Sequence, residues 1–300
     1  MDICKEELVS CVISTRNRQF LLEKALRSVI SQTYKNLEIL VVDDASEDNT
    51  ELLVKKYINI DRRIKYFKNG KRSGGSNARN VGINEARGDY IAFLDDDDEW
   101  MTNKTEIQLQ HIQPFDAILC SSFLGNKRRI RHPNKHIVFL KDLRKGNIFG
   151  GTSTLMAKSS VMKNHPFDED LFNGQDWDIF VRIASSYTLG YVDECLVIQN
   201  DGCHERISNE AVNMPINHLE RRLNAIYKHQ AFLGPHWVSY YVAKHLLSYI
   251  SYRENKIDHI IYTIRRCGWL SVMEVVIDRI VLDIKSIFAK SDVPPYKYAG

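Results

Sequence analysis

The sequence offers no stretch of about 18 uninterrupted apolar residues, so it contains no candidate membrane-spanning helix. The longest apolar segments, near the C-terminus, are broken by Arg253, Arg265, Arg266, Glu274 and Asp278. Six cysteines (Cys4, Cys11, Cys120, Cys195, Cys203 and Cys267) form no CxxC pair, and the first residues lack the basic-then-apolar pattern of a secretion signal. Free thiols in a reducing, cytoplasmic compartment are therefore expected. A net charge of +3 on 300 residues is too small to imply nucleic-acid binding. Internal repeats are absent. What remains, 44% hydrophobic and 26% charged residues, is the balance of an ordinary globular protein, with disorder expected only in short loops and the last few residues.

The first hundred residues alternate between strand-like and helix-like segments. Residues 8–14, 37–42, 64–67 and 90–94 are short and apolar, as buried strands are. Between them, Phe20, Leu21, Ala25, Leu26, Val29 and Ile30 recur at helical spacing, and residues 50–57 read as a second helix. A basic, glycine-rich loop at 69–76 leads into a third helix with Ala78, Val81 and Ala86 on one face and Gly88 as a C-cap. Strand–helix–strand alternation implies an α/β fold with a mostly parallel sheet flanked by helices. Residues 103–209 are less regular. Within them, 125–146 is strongly basic, with Asp142 its one acid, and 176–185 reads as a helix. After Pro215 the periodicity is helical. The expected organisation is one domain over 1–209, split at about residue 100, and a helical extension over 210–300.

In an open parallel sheet, ligands bind beyond the carboxyl ends of the strands. Three polar clusters fall at such ends: 15–18, Asp43-Asp44 and Asp95-Asp96-Asp97-Asp98. Four successive aspartates repel one another in a dry site unless a divalent cation sits among them, and hard oxygen donors suit Mg²⁺ or Mn²⁺. The plainer alternative is a solvated acidic turn before a helix starting near Asn103. Arg79 supplies complementary charge suited to gripping phosphate from a first helical turn. Its plainer role is a surface salt bridge worth about 0–1 kcal/mol.

Taken in order, Val12-Ile13-Ser14-Thr15-Arg16-Asn17-Arg18, Val41-Val42-Asp43-Asp44-Ala45-Ser46, Ala78-Arg79-Asn80-Val81-Gly82-Ile83 and Phe93-Leu94-Asp95-Asp96-Asp97-Asp98-Glu99-Trp100 resemble the signature blocks of family 2 glycosyltransferases, which are inverting enzymes of the GT-A fold. The resemblance covers about residues 8–208. It implies that Asp44 meets the nucleotide base, with Thr15 and Arg18 lining the same pocket. It also implies that Asp95 and Asp97 form the D-x-D element, Asp95 near the ribose and Asp97 on Mn²⁺ or Mg²⁺, with Asp96 and Gly75 beside the donor and Arg79 on the diphosphate. A later block, Gly174-Gln175-Asp176-Trp177-Asp178, is similar to the acceptor-side segment of the family. Its usual acidic pair is Glu-Asp. Here Gln175 replaces the first acid, which leaves the base role to Asp176; the alternative for Asp176 is a helix N-cap. Gly150, Gly151 and Trp177 match the acceptor side. His204 and Ser208 are similar to an element that closes over the diphosphate, His204 as a metal ligand or phosphate contact.

The resemblance implies a nucleotide-sugar donor, a UDP-sugar for the base contact at Asp44, and a glycan or lipid-linked glycan acceptor in cell-surface polysaccharide synthesis. Val272, Met273, Val276, Ile277, Ile280, Val281, Ile284 and Phe288 read as one apolar helix face, with Glu274, Asp278 and Lys285 opposite. That face either packs on the core or lies on the inner face of the plasma membrane, where the basic residues 127–131 would meet anionic head groups. Two rivals are a sugar nucleotidyltransferase, which lacks support because no glycine-rich, lysine-bearing loop follows the first strand, and an inactive nucleotide- or glycan-binding scaffold, which the retained Asp95, Asp97 and Asp176 oppose.

Overall fold

The computed structural model describes residues 6–124, 128–129, 136–200, 214–248, 250–252 and 254–289. They fall into two compact units, Met1–His204 and Glu205–Gly300.

The first unit is built on one sheet. Its opening half contains β1 (Val9–Thr15), β2 (Leu37–Asp43), β3 (Ile64–Lys68) and β4 (Tyr90–Asp95), all parallel. Between them run α1 (Gln19–Ile30), α2 (Thr50–Ile58) and α3 (Gly75–Glu85). Every residue of β2 is buried, as expected of a strand covered on both faces. Helix α1 buries Leu22, Ala25, Leu26 and Val29. Helix α3 lies so close to β1 that a Cβ on Gly82 would stand 2.3 Å from Val12 Cγ1. Gly88 is not a helix C-cap, because α3 ends at Glu85 with Ala86 as its cap. It serves close approach instead: a Cβ there would lie 2.7 Å from both the Leu8 carbonyl oxygen and the Ser10 amide nitrogen.

The other half of the sheet adds β5 (Asp98–Trp100), β6 (Ala117–Leu124), β7 (Arg128–Arg129), β8 (Met156–Lys158) and β9 (Leu189–Gln199). The strand order is β3-β2-β1-β4-β8-β6-β9-β5, with β7 paired to β6. Strand β8 is antiparallel to both β4 and β6, β9 is parallel to β6, and β5 is antiparallel to β9. Helices α4 (Lys104–Ile112), α5 (Leu140–Leu143), α6 (Ser159–Asn164) and α7 (Gln175–Ser186) complete the unit. Register places Asp43 opposite Thr15 and Asp95 opposite Ser14, so the polar clusters share one edge.

The second unit is helical, with its longest segments at Gln230–Leu247, Lys256–Cys267 and Trp269–Ala289. The first of these bends at Gly234, whose φ is 77°, before Pro235. One core gathers Leu219, Leu223, Val242 and Leu246, and another Tyr240, Ala243, Leu247, Val272 and Val275. The single apolar face expected on the last helix is in fact two. Val272 is buried with Val275, whereas Met273, Val276, Ile277, Ile280 and Val281 are exposed. Asp278 turns toward the unit and accepts a hydrogen bond from the Tyr240 hydroxyl at 2.7 Å. Among the described residues no helix is long and apolar enough to cross a membrane. The described cysteines, Cys11, Cys120, Cys195 and Cys267, are free thiols; Cys4 and Cys203 lie outside the described residues.

Candidate active site

The carboxyl ends of β1, β2 and β4 carry the three polar clusters together. After β2, Asp44 is buried. One of its oxygens accepts from the Ser73 amide at 2.7 Å and from Asn69 Nδ2 at 3.0 Å, and the other from the Gly74 amide at 2.8 Å. The glycine-rich loop is therefore shaped around this carboxylate. Gly74, with φ at 94°, makes the turn into α3 in a region that few other residues adopt. A Cβ on Gly75 would lie 3.2 Å from Arg79 Nη1.

The four aspartates that begin with the last residue of β4 do not share one set of partners. Asp96 is buried and accepts from Thr15 Oγ1 at 2.8 Å and from Arg18 Nη1 at 3.0 Å. Burial pushes its carboxyl up to about 6, although Arg18 and Thr15 oppose the shift. Arg18 also reaches Asp97 at 3.5 Å. Asp98 is buried and accepts from Ser153 Oγ at 2.6 Å. Burial first, then the charges of Asp95 and Asp97, hold the Asp98 carboxyl well above the usual carboxylate range. Asp95 Oδ1 accepts from Arg79 Nη2 at 2.6 Å, and Thr152 Oγ1 donates to the same carboxylate at 2.9 Å. The backbone N–H of Asp95 donates to Ser153 Oγ at 3.0 Å. The acidic turn and the turn at 151–154 are thus clasped together.

This donor set fits Mg²⁺ or Mn²⁺. The oxygens are hard, and Asp95, Asp96, Asp97 and Asp98 follow one another at the end of β4. No group of three or more ligating side chains forms a ready cage among the described residues. Such cations are commonly held by one or two carboxylates with the rest of the shell from phosphates and water.

On the acceptor side, α7 starts after Gly174, whose φ is 72°. Gly174 is the cap, so Asp176 is the second residue of the helix and not its N-cap. Asn147 Nδ2 donates to both Asp176 Oδ2, at 2.5 Å, and the Gly150 carbonyl, at 2.7 Å. The Trp177 amide donates to Asp176 Oδ1 at 2.8 Å. Asp176 is half-buried. Burial, then the Asp95 charge, raises its carboxyl above the ordinary value, while the Trp177 amide, Asn147 and Arg79 oppose the shift. Gln175 is fixed by donating from Nε2 to the Leu171 carbonyl at 2.8 Å, which leaves Oε1 to accept from Arg79 Nη1 at 3.3 Å.

The structure accordingly brings Arg79, Asp95, Gly150, Gly151 and Asp176 into one cluster, with Thr15, Arg18, Asp96 and Asp97 beside it. Arg79 sits in the second turn of α3, not the first, and reaches forward to Asp95 and Gln175. Trp177 is buried, and its indole N–H donates to the Leu143 carbonyl at 2.8 Å, fixing α5 against α7. His204, Ser208 and most of the basic stretch at 127–131 lie outside the described residues. Asn147 was not legible in the sequence, because an asparagine between two short elements carries no pattern. Ser153, two residues beyond Gly151, carries no pattern of its own either.

Comparison with known proteins bears on the family and the fold. A family model described as glycosyl transferase family 2 matches residues 10–171. The chain is 33% identical over 201 residues to an uncharacterized glycosyltransferase of Rickettsia conorii, covering 64% of this chain and 32% of that protein. It spans about a third of the length of the Rickettsia relatives it matches. It is also 33% identical over 184 residues to the GalNAc(5)-diNAcBac-PP-undecaprenol beta-1,3-glucosyltransferase of Campylobacter jejuni, covering 58% of this chain and 59% of that one. Among solved structures, S. aureus TarS in complex with UDP-GlcNAc superposes with a TM-score of 0.62 at 16% identity, over 89% of this chain and 90% of that one. A mannosyltransferase of Pyrobaculum calidifontis in complex with GDP-Man and Mn²⁺ gives 0.59 at 16% identity, over 94% and 81%. At such identities these structures speak to the fold, which is GT-A. The chain belongs to glycosyl transferase family 2.

Proposed function

We propose that the chain transfers one sugar from a UDP-sugar to a hydroxyl of a lipid-linked glycan at the inner face of the plasma membrane, with inversion, in cell-surface polysaccharide synthesis. The observation that carries this reading is the continuous polar path from the Asp176 carboxylate, through Asn147 and the Gly150–Gly151 turn, to Asp95 and Arg79. That path sets a carboxylate, a small-residue turn and an arginine side by side at the end of a parallel sheet. The Campylobacter relative names a lipid-linked glycan acceptor, and the TarS structure holds a UDP-sugar.

In this reading Thr15, Arg18 and Asp44 bind the nucleoside, Asp95 and Asp96 position the donor, and Arg79 grips the diphosphate. Asp97, with His204 as a further candidate, would hold Mn²⁺ or Mg²⁺, which when bound neutralises charge on the leaving diphosphate. Asp176 accepts the proton of the acceptor hydroxyl as it attacks the anomeric carbon, and the donor's bond to the diphosphate breaks in the same displacement. General-base help of this kind is typically worth about 10²–10⁴-fold. Asn147 aims the Asp176 carboxylate at the Gly150–Gly151 turn, where the acceptor would lie.

The test is a thermal-shift panel of UDP, GDP, dTDP and CDP, each with and without Mn²⁺. A ligand at about 100 times its Kd adds roughly 2.7 kcal/mol, or about 5–10 °C for a domain of this size. A shift for UDP that needs metal and vanishes in Asp97→Ala is the expected result. A metal-independent shift overturns the metal assignment, and a preference for GDP overturns the donor assignment. Asp176→Asn should keep the UDP shift and lose turnover by the factor given above; unchanged turnover overturns the base assignment.

A further inference from the structure

Two successive helices of the second unit turn apolar side chains to solvent. In Lys256–Cys267, Ile257, Ile261 and Ile264 are 70%, 41% and 37% exposed. In Trp269–Ala289, Trp269, Met273, Ile277 and Ile280 are 62%, 46%, 53% and 53% exposed. Spacings of three and four place each set on one helix face. The opposite face of the second helix is the one that Val272 and Val275 bury against Tyr240, Ala243 and Leu247. The exposed stripe is therefore not a loosely packed core; the helix has two apolar faces and the unit uses one. Exposed apolar stripes of this kind mark an interaction site.

Charge at the margins identifies the partner. The described carboxylates of these helices each have a partner: Asp258 accepts from Asn255, Glu274 lies 3.5 Å from His236 at the surface, and Asp278 accepts from the Tyr240 hydroxyl at 2.7 Å. Lys256, Arg265 and Arg279 are exposed and have no carboxylate partner among the described residues. The two stripes are apolar along their middle, and the flanking charges that lack an ion-pair or hydrogen-bond partner among the described residues are cations. A second copy of the same face would set like charges against each other. An anionic lipid surface satisfies both properties, with apolar side chains entering the acyl boundary and long basic stems reaching head groups.

We propose that the exposed face of Lys256–Cys267 and Trp269–Ala289 docks on an anionic membrane surface. It rests on the glycosyl-transfer reading only for its purpose, which is to hold the chain where a lipid-linked acceptor is presented.

The test is co-sedimentation of the full chain with phosphatidylcholine vesicles, with and without phosphatidylglycerol. The chain is expected to pellet with the phosphatidylglycerol vesicles, and less so at high salt. Ile277→Glu with Ile280→Glu should weaken binding by at least about tenfold without changing the melting temperature, since both side chains are exposed. Lys256→Glu with Arg265→Glu should abolish the preference for phosphatidylglycerol. A chain that stays in the supernatant overturns the proposal, as do isoleucine variants that bind like the parent. So does a parent that sediments as a dimer and becomes monomeric in the isoleucine variant, because the face is then a self-interface. Transfer to a short-chain, water-soluble prenyl-diphosphate sugar without vesicles should be equal in parent and variants. A parent that pellets with vesicles but transfers no sugar leaves this proposal standing and removes the proposed function instead.

Discussion

Arg79 is shared between one carboxylate, Asp95, and one amide, Gln175. A glutamate at 175 would give it two negative partners and place a second charge beside Asp176. In the proposed site the guanidinium would then have less net attraction for a diphosphate. Gln175→Glu is expected to weaken UDP binding about fivefold, the effect of roughly 1 kcal/mol, while the melting temperature of the free protein stays within about 1–2 °C. Titration calorimetry with UDP and Mn²⁺ checks this. A different residue sets a pH dependence of stability. Lys104 is fully buried, its ammonium 2.6 Å from Gln108 Oε1 and 4.0 Å from the Trp100 ring centroid. Burial lowers its pKa to about 8, against about 10.4 in an unfolded chain. Between those values the unfolded chain holds a proton that the folded one has lost, so this group's contribution to stability rises with pH across that window. Below about pH 8 the fold carries the cost of a buried cation. Lys104→Met should raise the melting temperature at pH 7 by about 2–6 °C and flatten the rise between pH 8 and 10, as replacement of buried charge by matched apolar volume commonly does.

Helix α3 is positioned by contact as well as by sequence pattern. Its Gly82 admits Val12 of β1 where a methyl group would stand 2.3 Å from Cγ1. Gly82→Ala should destabilise by about 1–3 kcal/mol and, because Arg79 lies one turn away, lower turnover as well. Thermal melts and a transfer assay on the same preparation separate the two effects. Elements such as β1, β2, α2 and β4 were legible because they are local: unbroken β-branched runs, or apolar residues every three or four positions, end at Asp43, Asp95 or a glycine. β5 was not legible, since Asp98-Glu99-Trp100 becomes a strand only by pairing with residues 197–199 of β9. β8 is three residues long and takes its identity from β4 and β6 on either side. At the site, the acidic run and Arg79 could be read from residue type and position. The clasp of Ser153 and Thr152 on Asp95 could not, because it joins positions 57 and 58 residues apart through single hydroxyls.

At the scale of the whole chain, each unit has its own core, Val41 and Leu94 belonging to that of the first and Leu246 to that of the second. In the proposed function a nucleotide binds among Asp44, Arg79 and Asp97, and would stabilise the unit that holds those residues. Differential scanning calorimetry with UDP and Mn²⁺ is therefore expected to raise the transition of residues 1–204 and leave that of residues 205–300 in place. The three-residue strand β8 also carries a consequence in time. Among the described residues it alone joins the parallel half of the sheet to the rest, and it is made only when the ribosome reaches residue 156. Until then β4 has an open edge with its ladder groups unpaired, beside a hydrophobic run that invites association between nascent chains. Assembly of the parallel half must wait about sixty residues for its neighbour, so a pause in translation before residue 156 should leave more of the product aggregated than one placed after it.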